Sequence, residues 1–283
     1  MAGPGPRGQT PRMSELAEPV AMVRRMFDTV ADDYDQSGVA FFQPIADRLV
    51  DLLDVRPGED ALDLGCGRGA ATTRLAGTGA HVTAVDLSPA MLAHTRAAVA
   101  GLDVSVLEMD ATRPTLPEAS YDVLASSLVL FFLADPRDAL SRWLRLLRPG
   151  GRFGLTTFGK ADATFEALGD LFEPYIPREV LDPMNEREQD DPFASPGTLT
   201  ALAETAGASD VRVVEEDLAV ELADVHAWRR WTMSTGQRMF WGRMDDAQRA
   251  ATMARAEELV ESARGADGRV VVRMGVRFTL GRR

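Results

Sequence analysis

The chain has 283 residues, 45% of them apolar and 26% charged, and a net charge of −12. That size and apolar content suit one large α/β domain with insertions, while a negative surface repels phosphate backbones and excludes nucleic acid as an expected partner. Cys66 is the single cysteine and there are three histidines, so an internal disulfide is impossible and no metal site is expected.

Residues 1–13 are rich in Pro and Gly and read as a disordered tail, with Met13 as an alternative start. The opening residues have no apolar core of a signal peptide. No run of about 18 apolar residues offers a membrane span, so a cytoplasmic enzyme is the expectation. Val20, Val23, Phe27, Val30 and Tyr34 recur every three to four residues and form one helix face. A second helix starts near Pro44, with Ile45, Leu49 and Leu52 on one side, and Pro57-Gly58 ends it.

Strands and helices then alternate. Ala61–Leu64 is a short strand that runs into Gly65-Cys66-Gly67-Arg68-Gly69, and the helix after it stops at Gly77. Val82–Val85 is the second strand, and Ser88-Pro89 opens a helix with a serine cap and proline in the first turn. Val104–Leu107 and Tyr121–Ala125 are the third and fourth strands. Asp135-Pro136 repeats the cap signal, Pro149-Gly150-Gly151 ends that helix, and Phe153–Thr157 is the fifth strand. This spacing predicts a parallel sheet covered on both faces.

From Lys160 to Ser195 the pattern breaks, with four prolines and many acids, and a cap is expected in place of a simple connection. The acidic run Glu186–Asp191 reads as a solvated loop. Ser195-Pro196 opens another helix, closed by Gly207, and Val211–Val214 is the sixth strand. Residues 225–264 read as two helical pieces broken near Gly242 and Asp245. From Val270 to Leu280 apolar residues alternate, which predicts a terminal strand with one strongly apolar face.

The informative stretch is Leu62-Asp63-Leu64-Gly65-Cys66-Gly67-Arg68-Gly69, at a strand end before a helix. Glycines there let the backbone turn sharply and approach a ligand. Asp86 ends the next strand, where a carboxylate can accept from ribose hydroxyls. Gly65, Gly67 and Ala70 also satisfy the looser nicotinamide-binding pattern. Asp63 argues against that reading, since a carboxylate beside the bend repels a pyrophosphate and suits a cationic group.

Asp63–Gly69 resembles the first motif of S-adenosylmethionine (SAM)-dependent methyltransferases with a Rossmann-like sheet, and Val85–Leu92 resembles their second. Met109-Asp110-Ala111 and Leu147–Gly151 are similar to later motifs, and the resemblance runs from about Phe27 to Thr157. It points to the branch that includes quinone-biosynthesis and other small-molecule methyltransferases. The implied fold is α/β: a Rossmann-like seven-stranded sheet, mostly parallel with an antiparallel terminal strand, plus helical cap insertions. The implied division is a SAM-binding core over 14–159, a cap over 160–195, and the rest of the core with a helical substrate-side insertion over 196–283.

The resemblance also implies roles. Asp63 would hold the amino group of SAM, Gly65 and Gly67 would pass under its methionine part, and Asp86 would bind its ribose. Leu87 and Met91 would pack on the adenine, Asp110 and the Ala111 amide would bond it, Tyr34 would approach from the N-terminal helix, and Ser126 and Ser127 would lie near the sulfonium. Where many relatives carry a histidine after the fourth strand, this chain has Leu130-Phe131-Phe132-Leu133, which removes an obvious base and makes an apolar pocket floor. Phe131, Tyr175, His226 and Trp231 are the candidate substrate-pocket residues, within a cluster that also holds Trp228, Met233, Met239, Phe240, Trp241 and Met244. Part of that cluster reads as packing against the last two strands. Methyl transfer to a small apolar acceptor is the expected activity; a non-methylating reaction on the same fold and a nicotinamide oxidoreductase are the alternatives.

Overall fold

Alternate residues of the predicted strands go to opposite sides of one sheet, and each side finds its own helical layer. The structure, a computed structural model, describes residues 18–176 and 191–283. The tail 1–13 and Glu186–Asp190 of the acidic run lie outside the described residues. Within them the strands are β1 (Asp60–Leu64), β2 (His81–Asp86), β3 (Val104–Glu108), β4 (Tyr121–Ser127), β5 (Leu147–Ala161), β6 (Ser209–Leu222) and β7 (Val270–Arg282). They form a seven-stranded sheet in the order β3-β2-β1-β4-β5-β7-β6. β1 to β5 pair in parallel, and β7 runs antiparallel to both β5 and β6.

Ala61, Val123 and Ala125 join one core with Ile45, Leu49 and Leu53 of helix α2 (Phe42–Leu53) and Leu75 of α3 (Ala70–Ala76). Leu62, Leu64, Leu124 and Phe153 join another with Leu140, Trp143 and Leu144 of α5 (Pro136–Leu146). Two covered faces explain why the central strands carry apolar residues on both sides. Helix α4 (Pro89–Ala98) lies along β2 and β3, and α1 (Glu18–Val30) crosses α4, where Val30 and Ala31 pack on Met91. The strand order reverses between β1 and β4, which opens a crevice at their carboxyl ends.

Three elements differ from the expectation. β6 is far longer than Val211–Val214, because the acidic stretch Glu215–Glu221 is strand: Glu215, Asp217, Ala219 and Glu221 face solvent on an edge strand while Val220 and Leu222 point inward. β7 keeps the expected apolar face of Val270, Val272, Met274, Val276, Phe278 and Leu280, but part of its other face is buried too. Between β5 and β6, with a layer on each side, Arg277 and Thr279 are buried as well as Val276, Phe278 and Leu280. The 225–264 region contains α8 (Val225–Met233), a one-turn α9 (Arg238–Trp241) and α10 (Asp246–Ser262), with a second break at Ser234–Gln237.

Beyond the end of the parallel sheet, β6 and β7 continue as a two-stranded ribbon that α8, α9, α10 and α6 (Ala163–Asp170) cover. Trp228, Trp241 and Phe172 are the centre of this packing: Phe172 stacks on Trp228 at 5.6 Å and meets Trp241 edge-on at 5.4 Å. Helix α7 (Pro196–Thr205) returns to the main sheet, where Leu202 and Ala203 pack with Leu155.

Candidate functional site

At the end of β1 the chain turns at Gly65, whose φ is +77°. A side chain there would also put its first carbon 2.4 Å from Val129 Cγ2, so both conformation and space demand glycine. The Gly65 and Cys66 amides donate to the Val85 carbonyl at 2.8 and 2.9 Å, locking the bend to β2. Gly67, at φ +53°, has open space where a side chain would begin, so the backbone is bare toward the crevice.

Asp86 secures this bend from the next strand. Its Oδ2 accepts from the Gly67 amide at 2.8 Å and its Oδ1 from the Ser88 amide at 2.9 Å. Burial pushes its pKa up, and those amide hydrogen bonds offset part of the rise. Asp63 is 1% exposed; one oxygen accepts from Thr72 Oγ1 at 2.6 Å, and Oδ1 has no hydrogen-bond partner among the described residues. Burial, with the nearby charge of Asp86, moves the Asp63 carboxyl up to about 7, against the pull of Thr72. A buried carboxylate oxygen with no donor, beside bare glycine backbone, fits a cationic nucleoside carrying an ammonium group.

Tyr34 closes the site from the α1 side. It is half-buried, and burial together with the charges of Asp35 and Asp86 pushes its pKa up, so its hydroxyl stays protonated. Asp35 is raised to about 6 by burial, against the attraction of Arg68. Arg68, on the glycine bend, donates to the Ala31 and Asp32 carbonyls at 2.6 and 2.8 Å. Asp35, Arg68 and Thr72 had no role in the reading of the sequence. Thr72 was the most findable, since it falls in the first turn of the helix that follows the Asp63 strand.

Leu87 is half-buried beside Asp86, and Met91 is 1% exposed beneath α1. Asp110 accepts from the Thr112 amide at 2.8 Å, and the Ala111 carbonyl accepts from Trp143 Nε1 at 2.7 Å. Ser126 donates to the Leu64 carbonyl at 2.7 Å and Ser127 shares a 3.0 Å hydrogen bond with Thr156, so both hydroxyls hold β4 at the crevice.

Next to Tyr34 the aromatic side chains form a closed circuit. Phe27, Tyr34, Phe42, Phe41, Phe158, Phe131 and Phe132 meet in that order and return to Phe27, with ring centroids 4.6 to 6.3 Å apart. Trp231 joins from the cap at 5.0 Å from Phe41. Of the four candidate pocket residues, Phe131 and Trp231 therefore come together, and Tyr175 is half-buried against the same core. His226 does not join them: it is exposed on α8, because Val225, Trp228 and Trp231 take the inward positions of that helix. His81 and His94 are also spent elsewhere, on Asp103 at 2.5 Å and Asp32 at 2.9 Å.

A family profile described as a methyltransferase domain matches residues 62–155, the stretch that holds the glycine bend and both acids. The chain is 36% identical over 274 residues to nocamycin O-methyltransferase of Saccharothrix syringae, covering 91% of this chain and 97% of that one. It is 37% identical over 171 residues to aklanonic acid methyltransferase DauC of Streptomyces sp. (strain C5), covering 58% and 78%. The solved phosphoethanolamine N-methyltransferase 2 of Haemonchus contortus, in complex with S-adenosylhomocysteine, shares the fold with a TM-score of 0.60 at 17% identity, over 95% of this chain and 60% of that one. No helix among the described residues is long and apolar enough to cross a membrane. These similarities favour methyl transfer over the nicotinamide and non-methylating alternatives, and the chain belongs to the SAM-dependent methyltransferases that act on small molecules.

Proposed function

We propose that this chain passes a methyl group from SAM directly to a small apolar acceptor held against the aromatic circuit. One observation carries the reading: the unpartnered, buried Asp63 oxygen beside bare glycine backbone, adjoining a ring of aromatic side chains. Bound SAM supplies a methyl carbon made electrophilic by its sulfonium. Asp63 would hold the amino group, the Gly65–Gly67 backbone would lie under the methionine part, and Asp86 would hold the ribose while keeping the bend in shape. Leu87, Asp110 and Ala111 would line the adenine side, Met91 would back it from beneath α1, Tyr34 would cover it, and Ser127 would set the end of β4 beside the reacting centre.

The aromatic residues exclude water and fix the acceptor's approach, which is what a direct transfer needs. No histidine joins the circuit, so the chain contributes alignment more than proton abstraction, and acceptors whose oxygen ionises readily are favoured. Calorimetry tests the reading. Wild-type protein binds SAM, and Asp86→Ala weakens binding by about tenfold or more, since the Gly67 and Ser88 amides lose their acceptor. A wild-type protein that does not bind SAM sinks the proposal.

A further inference from the structure

Two buried indole groups in this chain are hydrogen-bonded to other residues. Trp143 Nε1 donates to the Ala111 carbonyl at 2.7 Å and Trp241 Nε1 to Thr232 Oγ1 at 3.0 Å. Trp231 is 7% exposed, and its Nε1 is buried with no hydrogen-bond partner among the described residues. A buried N–H left unpaired is costly, and a site that keeps one is matched to an acceptor brought by a ligand. The Trp231 ring lies between Phe41, at 5.0 Å, and Phe165 of α6, at 5.8 Å. Phe41 is part of the aromatic circuit, and two further members of it, Phe132 and Phe158, are 41% and 37% exposed. Large aromatic side chains in contact with one another and open to solvent mark a surface that something apolar covers.

We infer that Trp231 donates its indole N–H to the methyl acceptor, and that the acceptor is a flat conjugated ring system carrying a carbonyl or enol oxygen. The inference rests on the methyltransferase reading and names the substrate class of that site. Aromatic faces and edges select flat rings over chains. The N–H selects an oxygen at the ring, because a hydrocarbon of the same shape leaves the donor unpaired, and sites built around a hydrogen bond reject such analogues strongly.

Two bicyclic probes of similar shape separate these terms: chromone, which carries a ring carbonyl, and naphthalene, which does not. With SAM present, equilibrium dialysis against the full chain gives chromone binding at least about tenfold tighter than naphthalene. Trp231→Phe keeps an aromatic ring and removes the donor; it erases that preference by weakening chromone far more than naphthalene, with SAM binding retained. A purely structural role for Trp231 would weaken both probes alike. Phe158→Ala, at a half-open position, weakens both probes and preserves the preference. In the wild-type protein labelled with nitrogen-15, one indole signal moves on adding chromone and stays still with naphthalene, a readout that does not depend on how the variant folds. Equal affinity for the two probes, a preference that survives Trp231→Phe, or an indole spectrum that ignores chromone overturns the inference. SAM binding without binding of either probe overturns it too and leaves the methyltransferase reading standing, whereas failure of the wild type to bind SAM removes that reading instead.

Discussion

Asp63 is buried with one oxygen unpaired, which costs folding free energy once the carboxyl ionises. Burial is the main cause of its rise from 3.8 to about 7. Across that interval the folded chain keeps a proton that the unfolded chain has released, so the stability contributed by this group is greatest at low pH and is lost as pH rises toward 7, by up to roughly 4 kcal/mol. Asp35, raised to about 6, acts in the same direction over a narrower range. Urea unfolding without SAM, from about pH 4 to 8, should show that decline, and Asp63→Asn should flatten it. Equal slopes in the two proteins would mean that Asp63 is not the group responsible. SAM affinity should rise over the same interval, since only ionised Asp63 pairs with an ammonium group. Gly65→Ala adds strain at φ +77° and a 2.4 Å clash with Val129, for an expected loss of about 1–3 kcal/mol in chemical denaturation. Adding Val129→Ala should recover the clash and leave the backbone strain.

Helix α1 is held more by polar ties than by buried area. Val30 and Ala31 sit in a small core with Met91, and Phe27 and Tyr34 pack at its edge. The ties are Ser88 to Asp28 at 2.5 Å, Arg24 to Glu108 at 2.9 Å, Arg238 to the Thr29 carbonyl at 3.2 Å and to Asp33, and Arg68 to the carbonyls past the helix end. An element with few apolar contacts opens at low free energy, which suits a cover over a binding site. Arg68→Met removes the hydrogen bonds to those terminal carbonyls and should speed amide exchange at the end of α1 by about tenfold. Deuterium uptake by mass spectrometry checks this; a uniform increase across the sheet would show a global effect instead. In α7, Ser195 and Thr198 form a reciprocal cap, and Ser195→Ala should cost about 1 kcal/mol in a thermal melt.

The whole molecule consists of a parallel sheet that carries the glycine bend with Asp63 and Asp86, and a ribbon-and-helix cap that holds Trp231. Their joints are tight. Gly154 lets α2 lie close, with Leu49 Cδ1 only 2.8 Å from where a side chain would start. Arg277, buried in β7, bonds Glu215 at 2.8 Å and the Phe193 carbonyl at 2.6 Å, tying the segment just before α7 to the last strands. Phe172 is 1% exposed at the centre of the cap, so Phe172→Ala should cost about 3–5 kcal/mol. Calorimetric melting should then show the cap unfolding before the sheet, with SAM binding at low temperature retained. Loss of SAM binding together with the cap would show that the two parts are one cooperative unit.

The residues alone determined the strand–helix alternation, the glycine bend and the acids at the ends of the first two strands. Each of these is written in neighbouring residues, through side-chain period, cap chemistry and backbone freedom. The same local rules ended β6 at Val214, because the acids that alternate with apolar residues beyond it carry no strong strand signal of their own. Only the tertiary structure decided that Asp63 keeps an unpaired oxygen, that His226 faces solvent while Trp231 faces inward, and that Phe27, Phe41, Phe131 and Phe158 join one aromatic circuit. Those facts depend on which distant segments the sheet order brings together and on which atoms are left without partners there, and no spacing within a single segment records either.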